Sequence, residues 1–259
     1  MSDINNIEVF NLVLAYVFVI VLLIIVKIKG IKKEKQIFIA SLRMTLQLLI
    51  AGYILTYVFE HEHPLFTIVI IALMEVFAVF TIIKRLKKNS PPAIKKVVII
   101  SMLTGTILCI IYFIFIVIRV SPWYEPRYFI PIAGMVIGNS MTGISLGVNK
   151  LVGDMVSQKH VVESSLMLGA TPYDACKDIV NNSFESAIIP SLNSMLGMGI
   201  IFLPGMMTGQ ILAGITPVTA IKYQIAIILG ITGSVSLTVI IFVQLAYKTF
   251  FNKRDQFKI

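Results

Sequence analysis

Charged side chains are rare inside the apolar stretches of this sequence, and Glu75 and Arg43 are two of them. Glu75 has apolar neighbours on both sides, and Arg43 is followed by Gln47 at the spacing that places two side chains on one helix face. A charge at membrane depth is costly and usually faces protein or water, so these groups could line or gate a path for a cation. Alternatively, Arg43 pairs with Glu75 and locks two helices together, or it extends to the inner membrane interface.

A second set of polar side chains lies among the glycines of a later apolar segment. Glycines stand four residues apart over residues 134–138 and again over 143–147, a spacing that lets two helix backbones approach closely. Asn139 and Ser140 lie between these pairs. They could hydrogen-bond across helices or present oxygen atoms to a substrate, and the sequence favours neither reading.

Soft and amide side chains occur in the unusual segment 200–217. Its prolines and glycines argue against a regular helix: Pro204, Gly205, Gly209 and Gly214. The segment could be a broken helix that lines a cavity at membrane depth, or the turn between two spans. Met206, Met207 and Gln210 are its candidate functional residues. Thioether sulfur suits soft ions such as Cu(I), and methionine is also a common core filler, so the sequence assigns no metal ligands.

These residues belong to a chain with the composition of a membrane protein. Hydrophobic residues make up 57% of its 259 positions and charged residues 14%, with a mean hydropathy of +0.91. Crossing a hydrocarbon core of ~30 Å takes about 20 mostly apolar residues in a helix. Seven segments qualify: residues 9–26, 37–59, 66–83, 97–118, 129–148, 187–203 and 218–247. The sequence therefore predicts an all-α, polytopic transmembrane helical bundle with about seven spans.

The basic residues indicate the orientation of this bundle. They cluster after the first, third and seventh segments, over residues 27–35, 84–96 and 248–258. Because short cytoplasmic loops carry the excess of lysine and arginine, the N-terminus is predicted outside and the C-terminus inside. The net charge of +9 thus flanks apolar spans, and no nucleic-acid-binding motif accompanies it. The prediction is a multi-pass protein of the inner or plasma membrane, surrounded by lipid, whose large cytoplasmic loop covers about residues 149–185.

The cytoplasmic loop combines a helix, a glycine turn and a second helix. Residues 163–170 read ESSLMLGA, and the amphipathic stretch 173–184 follows. Thr171 suits the N-cap and Pro172 the first position of this second helix. Such a hairpin could transmit the motion of a docked partner to the membrane helices, with Gly169 needed for a backbone turn or a close approach. The alternative is an ordinary surface hairpin.

The hairpin resembles the E-A-A-x-x-x-G loop of bacterial ABC importer permeases, whose short helix docks in a groove of the ATPase subunit. The acidic, small and glycine positions match, whereas the Leu-Pro pair that usually closes the motif is absent and Asn181 and Asn182 stand near its place. The resemblance assigns coupling to the ATPase to these residues: Glu163, Ser164, Ser165, Gly169, Ala170, Thr171 and Pro172.

Longer strings resemble the FetB (YbbM) family of ABC permeases. They are GNSMTG at 138–143, IPSLNS at 189–194, LPGMMTGQILAG at 203–214 and YQ at 223–224, with RMTLQ at 43–47 as the clearest match nearer the N-terminus. Bacterial members are described as iron exporters, and plant relatives are linked to aluminium tolerance. The likeness adds Asn193 to the candidates for the transport path.

The resemblance implies a single permease domain over residues 1–259 that exports iron or a related metal ion. It implies no cofactor in this chain, since ATP and Mg would be bound by a separate cytoplasmic ABC ATPase, and it implies two permeases with two ATPases. The string at 138–143 cannot itself be a phosphate loop, because Ile144 stands where a lysine must reach the phosphates.

Three other functions remain open. The chain could be an ABC permease for another solute, such as a nucleotide-sugar or a small organic molecule. It could be a gradient-driven secondary transporter, although such proteins usually show internal repeats and several intramembrane carboxylates. A membrane-bound enzyme is least favoured, because no set of catalytic side chains gathers on one side.

Overall fold

The computed structural model describes residues 8–86 and 90–258, and the described chain is built from helices. The α-helices found there are α1 (Val9–Ala15), α2 (Val17–Ile28), α3 (Glu34–Glu60), α4 (Pro64–Lys84), α5 (Ala93–Tyr112), α6 (Pro126–Ser157), α7 (Lys159–Met167), α8 (Pro172–Gly197), α9 (Gly205–Leu212) and α10 (Pro217–Ala246). A π-helical turn, Phe113–Ile118, continues α5, and a 3-10 turn, Tyr247–Phe250, continues α10. The all-α prediction is confirmed for this part of the chain.

Six helical segments in the described ranges are long and apolar enough to cross a membrane: Phe10–Ile28, Glu34–Glu60, Pro64–Lys84, Ala93–Ile118, Pro126–Ser157 and Pro217–Phe250. Each coincides with one of the predicted spans. The first is formed by α1 and α2, which meet at Tyr16. The prediction of a helical membrane bundle is confirmed.

The predicted apolar span over residues 187–203 is wrong in its bounds. The structure places its first part in α8, which begins at Pro172 inside the predicted loop and ends at Gly197. Local capping at Thr171 starts this helix, and the polar side chains of its first half keep it outside the six apolar segments. The chain leaves the helix over residues 198–204, where Gly199 has a positive φ of +84°.

The expectation that residues 200–217 lack a regular helix is also wrong in part. The eight-residue helix α9 forms there, with Gly209 in its interior. Glycine costs only about 1 kcal/mol relative to alanine in a helix. Burial of Met207, which is 7% exposed, favours the helix against this cost.

The described residues divide into two compact units. The first contains α1, α2 and α3, with Leu212–Gly214. In this unit α2 packs against α3, and the hydroxyl groups of Tyr16 and Thr45 are hydrogen-bonded. The second unit contains α4 to α10 apart from Leu212, and it holds most of the buried apolar core.

Helix α6 is the central helix of the second unit and packs against α4, α5, α8 and α10. At Gly143 a Cβ atom would lie 2.8 Å from Val235 Cγ1, and at Gly147 it would lie 3.5 Å from Ala187 Cβ. The close-packing interpretation of the 143–147 pair is therefore confirmed. Gly138 differs, because outside its own stretch of α6 no heavy atom of the described chain comes within 4 Å of the position its Cβ would take.

Candidate functional site

The α7–α8 hairpin, meaning α7, residues 168–171 and the first turn of α8, is closed by backbone hydrogen bonds. The Gly169 amide donates to the Leu166 carbonyl over 3.0 Å, and the Ala170 amide donates to the Ser165 carbonyl over 3.0 Å. This pair of bonds is a Schellman motif, which satisfies carbonyl groups at a helix C-terminus and needs a left-handed residue just past the end. Gly169 supplies it with a φ of +92°.

The second arm of the hairpin begins as the sequence predicted. Thr171 is the N-cap of α8, and its hydroxyl accepts a hydrogen bond of 3.2 Å from the Asp174 amide. Pro172 occupies the first turn, where a missing N–H costs nothing. Cys176 is buried behind this turn, and burial raises the pKa of its thiol to about 12. The thiol is therefore neutral at physiological pH and poorly reactive.

The tip of the hairpin is apolar and open to solvent. Met167 is 86% exposed and Leu168 is 90% exposed, which is unusual for side chains of this size. Ser164 is exposed beside them, and the Ser165 hydroxyl donates to the Val161 carbonyl of its own helix. The tip is thus available to a partner, while the base of α7 is held in the unit by Val162, which has no exposed surface.

Charged groups lie along one side of this hairpin. Glu163 is paired with Lys159 over 3.7 Å, one helical turn away. Glu163, Gly169 and Thr171 also line a concavity of about 560 Å³, whose opposite wall is the C-terminal segment, residues 251–258. Arg254, Gln256 and Phe257 belong to that wall.

The C-terminal segment is folded, a feature that the sequence analysis missed. The Asn252 side-chain oxygen accepts from the amides of Arg254 and Gln256 over 2.8 and 3.0 Å. The Phe257 ring stacks on Phe250 with centroids 6.4 Å apart. The basic residues of 248–258 indicated only a flank of the last span. Asn252 was the available signal, because an asparagine side chain commonly closes a turn by accepting from backbone amides.

Glu75 is buried in the second unit, as its position in an apolar helix predicts. It is 5% exposed, and the Thr106 hydroxyl lies 2.9 Å from Glu75 Oε1. The same hydroxyl is 2.6 Å from the Met102 carbonyl, so its single proton serves only one of these acceptors. Glu75 Oε2 has no hydrogen-bond partner in the described chain. Thr106 lies on another helix, and nothing in the sequence pointed to it.

The remaining candidates of the second unit occupy several different environments. The hydroxyl groups of Ser140 and Ser234 lie 3.0 Å apart and join α6 to α10. Asn139 is exposed, and its amide donates to the Met135 carbonyl of its own helix. Asn193 is exposed on α8. Ser140 therefore acts between helices, whereas Asn139 and Asn193 face away from the core.

The three candidates on α9 contribute packing and a turn. Met207 is buried, and Met206 packs against the apolar core. The backbone carbonyl of Gln210 accepts from the Ile215 amide over 3.0 Å. No hydrogen bond or ion pair of the described residues links Met206, Met207 or Gln210 to Glu75, and no group of three or more His, Cys, Asp or Glu side chains gathers there to hold a metal ion.

Arg43 and Gln47 belong to the first unit. Both are exposed on α3, one turn apart on the same side, as their spacing predicts. The predicted residues of the α7–α8 hairpin lie together in one hairpin, whereas the other candidates occupy several separate environments. The hairpin is therefore the best-defined candidate site.

A helical bundle with six apolar segments of membrane-spanning length is a multi-pass membrane protein. The chain belongs to the Uncharacterised protein family (UPF0014), whose model matches residues 9–251. It is 36% identical over 252 residues to the UPF0014 membrane protein YjkA of Bacillus subtilis, covering 96% of this chain and 97% of that protein. No solved structure matches the chain.

Two further relatives have names that describe a role. The chain is 34% identical over 252 residues to the "Probable iron export permease protein FetB" of Escherichia coli, covering 97% of this chain and 95% of that protein. It is 33% identical over 242 residues to the "Protein ALUMINUM SENSITIVE 3" of Arabidopsis thaliana, covering 93% and 87%. The resemblance seen in the sequence strings is therefore confirmed.

Proposed function

We propose that this protein is the membrane-spanning permease subunit of an ABC transporter that exports iron or a related metal ion. The observation that carries the proposal is the α7–α8 hairpin, a rigidly closed turn with an exposed apolar tip between helices that pack in the core. The name of the Escherichia coli relative supports a permease for iron. ATP and Mg would be bound by a separate ATPase subunit, and two copies of the permease would form one transporter.

The hairpin is mechanically suited to couple ATP hydrolysis to transport. α7 follows α6 directly, and α6 runs without interruption from Pro126 to Ser157. On the other side, α8 continues from Pro172 to Gly197 and packs along both α6 and α10. A push on the hairpin tip would therefore reach the membrane-spanning helices through two continuous helices, because packed helices move as rigid bodies.

The proposal includes the orientation with the N-terminus outside and the C-terminus inside. Lys27 lies in the last turn of α2, and Lys29 and Lys32 follow that helix. Lys253, Arg254 and Lys258 lie in the C-terminal segment. Lys87 and Lys88, which belong to the basic stretch 84–96, lie outside the described residues. This orientation places the hairpin and the C-terminal segment together in the cytoplasm, where an ATPase could reach both.

The test is transport in inside-out membrane vesicles that contain the permease with its candidate ATPase. We expect ATP-dependent uptake of ferrous ion into the vesicle lumen, and we expect the ATPase to co-purify with the permease. Vesicles with the permease alone are the control. Uptake that proceeds without the ATPase and follows an imposed ion gradient would identify a secondary transporter, and ATP-driven uptake of another solute in place of metal ions would reassign the substrate.

A further inference from the structure

An open groove runs between the end of α5 and the middle of α10 in the second unit. We call it the α5–α10 groove, and it has a volume of about 670 Å³. Along α10 it extends from Lys222 to Leu237, roughly 22 Å at 1.5 Å per residue. One leaflet contributes about 15 Å to a hydrocarbon core of ~30 Å. The groove is therefore long enough to span the apolar part of one leaflet.

Two glycines of α10 shape this groove. At Gly230 a Cβ atom would lie 2.7 Å from the Phe113 ring, so this glycine lets α5 approach α10. At Gly233, outside its own stretch of α10, no heavy atom of the described residues comes within 4 Å of the Cβ position. Glycine destabilises a helix interior relative to alanine, and close packing within the described chain does not explain it at Gly233. The missing side chain leaves space that opens into the groove.

The lining of the α5–α10 groove combines an apolar surface with one charge. Of the described residues that line it, Lys222 alone is charged, and the others are apolar except Cys109 and Tyr112. Lys222 is exposed within the first two turns of α10, and its amine has no ion-pair partner among the described residues. A cation at one end of an apolar groove is complementary to a molecule with a hydrocarbon chain and an anionic head.

The width of the groove favours a hydrocarbon chain over a protein helix. Its volume spread over its length gives a mean cross-section of roughly 30 Å², which corresponds to a width of about 6 Å. A helix with its side chains is about 10–12 Å wide, so it could lie over the groove but could not enter it. The atoms of a single hydrocarbon chain contact their neighbours at about 4 Å, and such a chain fits.

We propose that the α5–α10 groove binds one acyl chain of an anionic phospholipid, whose phosphate group pairs with Lys222. The chain would cover Leu108 and Leu229, which are 58% and 56% exposed, and fill the space at Gly233. It would thereby hold α5 against α10. The lipid belongs to the outer leaflet, because α10 ends inside the cell in the proposed orientation. Only the leaflet rests on the proposed function, and the binding site does not.

The test measures lipid retention by the purified full chain. The protein is reconstituted in vesicles of equal parts phosphatidylglycerol and phosphatidylcholine, extracted with mild detergent and weighed by native mass spectrometry. We expect one phosphatidylglycerol per chain, in about fivefold excess over phosphatidylcholine, which is the effect of one lysine near an anionic membrane surface. Lys222→Gln should bring the two lipids to equal retention. Lys29→Gln, at an exposed lysine that follows α2, should keep the preference.

A second variant tests the groove itself. Gly233→Phe adds a ring at a position whose Cβ meets no other described helix, so the fold should be kept. Retention of both lipids should fall by about tenfold, because excluding two CH₂ groups from an apolar site already has an effect of that size. Gly52→Phe is the matched control, since Gly52 is similarly open on α3.

A phosphatidylglycerol with a photo-reactive diazirine in its acyl chain locates the bound lipid. Adducts should fall on residues 108–117 and 222–237 and avoid Val76, which is 67% exposed on α4. Equal adducts at Val76, no retained lipid in the parent chain, or unchanged retention in Gly233→Phe would overturn the inference. A dimer that Gly233→Phe separates without loss of lipid would assign the groove to a second copy and overturn it as well. None of these measurements depends on ATPase binding, so their failure leaves the proposed function standing.

Discussion

The carboxyl group of Glu75 suggested a role in the path of a cation, and the structure shows which side chains contact it. A carboxyl group in an apolar helix was visible in the sequence. Its partner Thr106 comes from the next helix, and Ser234, the partner of Ser140, comes from a helix much later in the chain. Such contacts depend on how α4, α5, α6 and α10 pack, and periodicity within one segment carries no information about them.

The first prediction concerns Glu75→Gln. Glutamine keeps the volume and an acceptor oxygen for Thr106, so the amount of inserted protein should stay close to that of the parent chain. Metal transport should fall by about tenfold, equivalent to ~1.4 kcal/mol, if the negative charge attracts or gates the cation. Transport and membrane abundance are measured together. Thr106→Val is the control, because it removes the hydroxyl partner and keeps the carboxyl group.

The outcome of this pair separates the two interpretations of Glu75. Loss of abundance in Glu75→Gln that matches its loss of transport would assign it a packing role. Unchanged transport would remove Glu75 from the path altogether. A fall in transport that Thr106→Val does not reproduce would indicate that the charge matters more than the hydrogen bond.

At the scale of elements, local signals predicted the α7–α8 hairpin well. The N-cap Thr171, Pro172 after it and Gly169 before it act within a few residues of one another, so the sequence contained the relevant information. The end of α8 was misplaced for a different reason. The apolar run over residues 187–203 continues past Gly197. Only the turn of the chain at Gly199 marks the change from α8 to the non-helical residues 198–204.

The second prediction concerns Gly169, and the structure changes its reasoning. Apart from its two chain neighbours, no heavy atom of the described residues lies within 4 Å of the position its Cβ would take. The glycine is therefore needed for its φ of +92° and not for a close approach. Left-handed backbone costs most side chains roughly 1–2 kcal/mol, and asparagine tolerates it best. We expect co-purification of the ATPase to decrease in the order Gly169, Gly169→Asn, Gly169→Ala and Gly169→Val.

The control for this series is Ser157→Val, at an exposed position before the hairpin. All variants should insert normally, because Gly169 lies outside the six apolar segments and Ser157 is the exposed last residue of α6. Equal ATPase recovery from the parent chain and Gly169→Val, with ATP-driven transport intact, would contradict the coupling role of the hairpin.

The third prediction concerns the apolar tip of the hairpin. Leu168→Glu places a charge on a side chain that is 90% exposed, so the fold should be unaffected. If the tip is buried in a groove of the ATPase, an unpaired carboxylate there should lower ATPase recovery by about tenfold or more. Ser157→Glu introduces the same charge outside the tip. The two variants are compared by pull-down, and equal recovery would show that the tip is not the contact.

At the scale of the whole molecule, composition predicted the membrane location and the helical class, since apolar segments of this length have few other stable environments. The fold of the C-terminal segment over the hairpin could not be predicted in this way. It depends on the concavity shared with Glu163, which is a contact between distant parts of the chain, and on a turn that lets Phe257 stack on Phe250.

The last prediction tests the orientation of the whole chain. Leu168→Cys and Ser121→Cys are both exposed positions, one on the hairpin and one in the connection between the π-helical turn and α6. If the basic residues flank cytoplasmic ends, a membrane-impermeant maleimide should label Ser121→Cys in intact cells and Leu168→Cys only after the membrane is opened. Native Cys176 should stay unlabelled in both conditions, because burial raises the pKa of its thiol to about 12 and leaves it protonated. Labelling of Leu168→Cys from outside would contradict the predicted orientation. It would also place the hairpin on the side of the membrane opposite to the one where ATP is hydrolysed.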